Sequence, residues 1–297
     1  MTVARVLVVG DVITDVVAVL GGALAPGSDT PAAIRVAGGG QAANTAAWLA
    51  AAGVPVTLAG VAGYDPAGDA RLAELSAAGV TTAVRRATDA VTGTIIVLST
   101  GGERSMITDR GANLLLRPSD VDAARTPDVT RLHLSGYALL DEATRPAARH
   151  ALRQDVATSI DAASAEPLRQ VGAKTFLSWV RGCDLLLANA DEAHVLAGPG
   201  SPGEQARTLA AATGGAAVVK RGAAGAVWAT ADGAMTELPP SLATSVTPVD
   251  ATGAGDAFAA GLLAALVHGA TPLDALTAAH TLGARAVTTI GARPPAS

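Results

Sequence analysis

The sequence predicts an α/β protein in which helices cover a mostly parallel sheet. Three observations carry that prediction. Short apolar runs of strand length end on glycine or polar residues, and runs of helical composition alternate with them. The 297 residues, 49% of them hydrophobic and 16% charged, also suffice for a large core. Length alone allows one domain or two unequal ones.

The first apolar run, residues 5–9, is closed by Gly10 and followed by Asp11 and Asp15, as for a buried strand meeting a polar edge. Residues 41–52 have helical composition and stop at Gly53, and 56–61 read as the next strand. The alternation continues with a helix over 69–78, a strand over 130–134, a helix over 142–155 and strands over 158–160 and 185–188. A helix over 205–212, a strand over 216–220 and helices over 254–268 and 273–287 close the series. Two stretches break it. Residues 12–20 with 34–37, and 91–100 with 104–108, read as β segments joined by turns. Either they form a small sheet over a ligand cleft, a lid spanning about 12–37 and 91–108, or they extend the main sheet. The tail ARPPAS reads as a loosely held end.

Composition excludes several classes. The mean hydropathy of +0.37 reflects abundant alanine rather than long greasy segments, since aromatics are only 2%. Charged residues and glycines interrupt every apolar run before the roughly 18 residues a membrane span needs. The opening MTVARVLVVGDVITD is too quickly charged for a secretory leader, so a cytoplasmic protein is expected. Cys183 is the single cysteine and reads as structural, and the five histidines are dispersed, which disfavours a zinc site. The formal charge of −5 comes without any basic block, which disfavours nucleic-acid binding.

The strongest local feature is DATGAGD, residues 250–256, leading directly into an apolar helical run. Small residues at a helix start let backbone N–H groups converge on an anion. Asp256 would lie beside that cradle, where it serves either as an ordinary helix-terminal acid or as a carboxylate able to take a hydroxyl proton during phosphoryl transfer. The P-loop pattern GxxxxGK[ST] is absent. A dinucleotide-dependent oxidoreductase would need a glycine-rich turn after the first strand, and GDVITD does not supply one.

DATGAGD resembles the C-terminal signature of the ribokinase-like (PfkB) carbohydrate kinases, and AGGGQAANTA resembles their N-terminal glycine-rich signature. Further similarity runs through GDVITD, GGERS, GAN, LLLANADE, VVKRGAAGA and AVTTIGA, nearly the whole chain. The resemblance implies a single domain over residues 1–297, with a three-layer α/β/α fold and a small β lid. It also implies ATP and Mg2+ as cofactors, a small-molecule substrate, and phosphorylation of a hydroxymethyl group of a small sugar. A nucleoside kinase of the same family and a noncatalytic sugar- or nucleotide-binding protein are the alternatives, and the lid is the candidate surface for a homodimer.

Carried over by position, the resemblance makes Asp256 the general base of a catalytic turn that includes Gly253, Ala254 and Gly255, with the amides from Ala254 to Asp256 forming the anion hole. Thr252 and Gly253 would lie beside the nucleotide phosphates, and Asn189 and Glu192 would act around Mg2+, mainly through water. Read alone, Asn189 and Glu192 are equally a polar helix start. Gly222 and Gly225 would lie beside nucleotide, Lys220 would approach the phosphates or sit at a turn, and His280 would lie near adenine. Asp11, Asp15, Gly39, Gly40 and Asn44 would meet the acceptor, joined by Arg104 if that residue does more than hold its hairpin. Asp250, Val287 and Gly291 resemble a K+ loop.

The chain also departs from the family pattern. No carboxylate follows Ser135-Gly136-Tyr137 until Asp141, which weakens the case for ordinary ribose specificity. Alanine and serine follow Asp161 where many relatives carry asparagine and arginine, so any phosphate contact there must come from elsewhere, Arg169 being one candidate.

Overall fold

A computed structural model describes residues 4–100, 103–240 and 246–295. The first third of the chain forms β1 (Arg5–Val9), β2 (Ile13–Leu20), β3 (Ala32–Gly39), α1 (Gln41–Ala51), β4 (Val56–Gly63), α2 (Pro66–Ala77) and β5 (Thr81–Ala87). The middle forms β6 (Gly93–Thr100), β7 (Glu103–Asp109), α3 (Pro118–Ala124), β8 (Val129–Ser135), α4 (Tyr137–Leu140), α5 (Arg145–Ala151) and β9 (Ala157–Asp161). There follow α6 (Ala165–Val171), α7 (Ala173–Trp179), β10 (Leu185–Asn189), α8 (Ala190–Ala197), α9 (Pro202–Thr213) and β11 (Ala216–Lys220). The chain closes with β12 (Ala226–Thr230), β13 (Met235–Leu238), α10 (Ala254–Val267) and α11 (Pro272–Ala286).

Among the described residues, nine strands make one sheet, in the order β13-β12-β11-β10-β9-β8-β1-β4-β5. It is parallel from β5 to β11, and β12 and β13 add an antiparallel edge. The period of two along β1 divides the core into layers. Leu7 and Val9 join the cluster that includes residues of α3 and α5 to α9, whereas Val6 and Val8 join the one that includes α1, α10 and α11. Helices on both faces of a central sheet give the expected three layers. Both faces are apolar, which is why the strands read as continuous hydrophobic runs rather than alternating ones.

The four segments that broke the alternation form a separate sheet, in the order β3-β2-β6-β7. It is the lid. It is mixed, because β2 runs parallel to β6 and antiparallel to β3.

Some expected boundaries move, for local reasons. The helix expected over 142–155 shortens to α5, which starts at Arg145 because Pro146 occupies its first turn and cannot donate an interior hydrogen bond. The helix expected from residue 69 starts at Pro66, because the Asp65 carboxylate caps it by accepting from the Gly68 amide. The tail is not loosely held where it is described: the Ala292 carbonyl accepts from the buried Trp48 indole N–H at 2.9 Å, and the Gly291 amide donates to Asp250.

The parallel register decides what faces the cleft. Ser135 lies beside Asp161, and Asn189 lies beside Lys220, all four at the C-terminal ends of their strands. Ligand sites of open α/β sheets form at that edge.

Candidate active site

Gly253 is the N-cap of α10 and adopts a left-handed φ of +77°. A Cβ there would lie 2.3 Å from the Ala292 carbonyl oxygen, so glycine is required twice over, by conformation and by space. The Ala254 N–H donates weakly to Ala251 at 3.3 Å, and the first helical bond runs from Ala257 to Gly253. The amides of Gly255 and Asp256 fall in the first turn, ahead of that bond, where the positive end of a 14-residue helix favours an anion.

Asp256 stands in this first turn and accepts a hydrogen bond from Asn44 Nδ2 at 2.9 Å. Desolvation raises its proton affinity well above the ordinary carboxylate range. The Asn44 bond opposes that rise, Asp161 adds to it and Lys220 opposes it. A carboxylate so tuned can accept a hydroxyl proton.

The Lys220 ammonium pairs with Asp161 and lies 3.6 Å from where a Cβ of Gly255 would be. Burial alone would lower its pKa, but Asp161 and Glu192 outweigh burial and hold it above the usual lysine value. Asn189 and Glu192 close a capping box at the start of α8: the Glu192 carboxylate accepts from the Asn189 amide at 2.8 Å and from Asn189 Nδ2 at 2.7 Å. Burial pushes Glu192 up to about 7, with Lys220 opposing and Asp161 adding. Among the described residues no group of three His, Cys, Asp or Glu side chains comes together to hold a metal. The oxygen donors of Asn189 and Glu192 fit a hydrated Mg2+ that takes its remaining ligands from water and phosphate.

A cavity of 530 Å³ opens beside this cluster, lined by Asn189, Lys220, Gly225, Phe258, His280 and Val287 among others. Gly225 has φ +87°, and a Cβ there would lie 1.9 Å from the Leu238 carbonyl oxygen. Around Gly222 nothing crowds a Cβ; its carbonyl instead meets His280 Nε2 at 3.1 Å. Thr252 donates both its amide and its hydroxyl to Asp250 Oδ1, which serves the loop rather than the cavity. The Val287 carbonyl accepts the amides of Val249 and Asp250, so Asp250, Val287 and Gly291 do meet in one pair of loops.

On the other side of Asp256, the glycine run packs against charged groups. A Cβ at Gly39 would fall 2.1 Å from the Asp15 carboxylate, and one at Gly38 would fall 2.1 Å from the Arg293 guanidinium. Gly40, at φ +94°, precedes α1. Asp11 accepts the amides of Gln41 and Ala42 and so caps α1 from outside. Desolvation pushes Asp15 up to about 6 against the pull of Arg293, with Asp11 adding to the rise. Arg104 pairs through its backbone with Ser99, and its side chain lies outside the described residues.

Four residues of this neighbourhood escaped sequence reasoning as site candidates. Gln41 accepts from Ser135 Oγ at 2.7 Å and donates to Asp161 at 3.3 Å, building a polar floor where the strand ends lack a second carboxylate. Asp161 holds Lys220 at the place where asparagine and arginine are missing, while Arg169 pairs with Glu166 on the exposed surface of α6. Ala163, at φ +82°, is the sole non-glycine residue of positive φ among the described residues, and it aims its amide back at Asp161. The fourth is Arg293, which donates to Asn44, Gly39 and Glu74. Only the register of the strand ends and the fold of the tail bring these groups together.

Residues 3–297 match the pfkB family of carbohydrate kinases. The chain is 30% identical over 278 residues to the ATP-dependent ribose-1-phosphate kinase of Halopiger xanaduensis, covering 90% of this chain and 87% of that protein. Ribokinase from Thermotoga maritima superposes with a TM-score of 0.82 at 22% identity, covering 98% of this chain and 94% of that one. An Escherichia coli chain designated ribokinase II, in complex with ATP and Mg2+, superposes with a TM-score of 0.83 at 22% identity, covering 99% and 96%.

Proposed function

The chain belongs to the pfkB family of carbohydrate kinases, and on that premise we propose that it transfers the γ-phosphoryl group of ATP to a hydroxymethyl group of a small sugar. The observation that carries the reading is the place of Asp256, between the cavity-facing first turn of α10 and the Asp15–Asn44 side of the cleft. As the acceptor oxygen bonds to phosphorus, its proton passes to Asp256 and the bridging P–O bond breaks toward ADP. The amides of Gly255 and Asp256 face the developing negative charge, and Lys220 adds a fixed cation beside them. Asn189 and Glu192 would hold Mg2+ mainly through water, where the ion would neutralise phosphate charge. Asp15 and Asn44 accept from and donate to the acceptor hydroxyls. ATP as donor goes with a cytoplasmic site of action, and no described helix is long and apolar enough to cross a membrane.

An acceptor that already carries a phosphate is the second reading. It is favoured by the Halopiger relative and by Arg110, which pairs with Asp141 at 3.1 Å and stacks over Tyr137, just past the strand end of β8. An ADP-release assay with Mg-ATP, run over pentoses, hexoses, nucleosides and ribose 1-phosphate, decides between the readings. Adding K+ in parallel tests the loop of Asp250, Val287 and Gly291. If no acceptor raises ADP release above the rate with water, the kinase reading fails and a noncatalytic binding protein takes its place.

A further inference from the structure

We propose that Arg293 is a positioning residue for the catalytic carboxylate, acting through Asn44. The inference rests on the reading of Asp256 as general base. The two ends of an asparagine amide have nearly the same shape, so nothing in Asn44 alone decides which end faces Asp256. Only the Nδ2 end can donate to a carboxylate; the Oδ1 end would repel it. The Arg293 Nε–H, a donor that can never accept, lies 3.2 Å from Asn44 Oδ1. It therefore holds the oxygen away from Asp256 and leaves Nδ2 to make the 2.9 Å bond to Asp256 Oδ2.

The guanidinium is itself fixed from two further sides. Its Nη2 donates to the Gly39 carbonyl at 3.1 Å, and its Nη1 to Glu74 Oε2 at 3.2 Å. Gly38 supplies the room, since a Cβ there would overlap Nη1. A planar fork of five donors can meet three acceptors in fixed directions, which a lysine ammonium on a flexible stem cannot. Burial lowers the Arg293 pKa to about 10, so the group stays charged at neutral pH. The backbone bonds at Gly291 and Ala292 anchor the tail independently of this side chain. Arg293 thus ties the end of lid strand β3, α2 and the general base into one orientation.

The test is kinetic. Arg293→Ala should lower kcat by roughly 10- to 100-fold, at or below the lower end of what a general acid–base group itself contributes, with KM for ATP little changed. The ascending limb of kcat against pH should move to higher pH, because an unoriented Asn44 no longer favours the ionised carboxylate. Added guanidinium ion should restore part of the rate. Combined with Asn44→Ala, the double variant should be no slower than Asn44→Ala alone. An unshifted pH limb, or losses that multiply in the double variant, overturns the inference. Arg293→Lys, which keeps a cation without the fork, takes the same measurements if the alanine variant fails to fold. Asp256→Ala is run alongside: turnover retained there defeats the general-base reading, whereas turnover lost there with Arg293→Ala unaffected defeats only the role of Arg293.

Discussion

Asn44 Nδ2 donates to Asp256 Oδ2 at 2.9 Å across 212 residues of sequence. The bond joins the glycine-rich start of α1 to the start of α10, so the two ends of the chain share one reacting centre. It also favours the ionised carboxylate, against the desolvation that raises the Asp256 pKa. Asn44→Leu removes the donor while nearly preserving shape. The ascending limb of kcat against pH should then move to higher pH, with kcat at pH 7 falling by about tenfold or more. A pH–rate profile superimposable on wild type would contradict this role.

Lys220 is the cation nearest three carboxylates, Asp161, Glu192 and Asp256, that would otherwise repel one another. Lys220→Met keeps the length of the side chain and removes its charge. Turnover should drop by about 100-fold or more, the scale of losing an electrostatic contact to the transferring group. The apo protein should also take up protons on its carboxylates at higher pH than wild type. Steady-state kinetics and a potentiometric titration check the two effects. Wild-type kcat in the methionine variant would leave Lys220 a purely structural ion pair.

Gly225 combines φ +87° with a Leu238 carbonyl oxygen 1.9 Å from any added Cβ. Alanine must displace the β12–β13 edge or change the turn, at a cost of roughly 1–3 kcal/mol. Gly225→Ala should lower the melting temperature and raise KM for ATP, leaving KM for the acceptor near wild type. Gly222→Ala meets no such contact and should be milder in both, and equal effects at the two positions would refute the steric argument.

How much of this could be read beforehand depends on range. Most strands and helices are legible, because period and punctuation are local, and Asp256, Asn44 and Lys220 stand in recognisable patterns, but β5 and the antiparallel edge strands β12 and β13 are not among the expected elements. The Gln41–Ser135–Asp161 floor is not legible, because it exists only once the register sets Ser135 beside Asp161. Arg293 was hidden for a different reason. Its proline-rich surroundings suggest a free end, and the Trp48–Ala292 and Gly291–Asp250 bonds reveal that the segment is fastened.

The lid leaves Ile34, Val36, Met106 and Ile107 more than half exposed. A small sheet with this much apolar surface, in which β3 and β7 are the edge strands among the described residues, suits a second copy of itself. Sedimentation should find a dimer at micromolar concentration, and Ile34→Glu combined with Val36→Lys should return it to a monomer. A wild-type monomer at those concentrations would rule the lid out as a stable interface.

Glu192 holds its proton up to about 7 in the folded chain, against an ordinary value of 4.5, and Asp15 does so up to about 6 against 3.8. The folded state therefore binds more protons than the unfolded chain between those limits, and stability from these groups is lost as pH rises through them. The apo protein should melt several degrees higher near pH 5 than near pH 8 on this account. Glu192→Gln removes the titrating group. It should flatten the pH dependence and raise the melting temperature at pH 8, while impairing turnover by removing a charged donor for hydrated Mg2+. Differential scanning calorimetry across pH 5–8, with and without Mg-ATP, reads both effects. Bound Mg2+ favours the ionised carboxylate, so the nucleotide complex should stabilise the wild type more at pH 8 than at pH 5, and the glutamine variant should not share that preference. An apo melting temperature that rises with pH in the wild type and falls in Glu192→Gln would reverse the predicted sign and remove this carboxylate as the source of the trade between stability and catalysis.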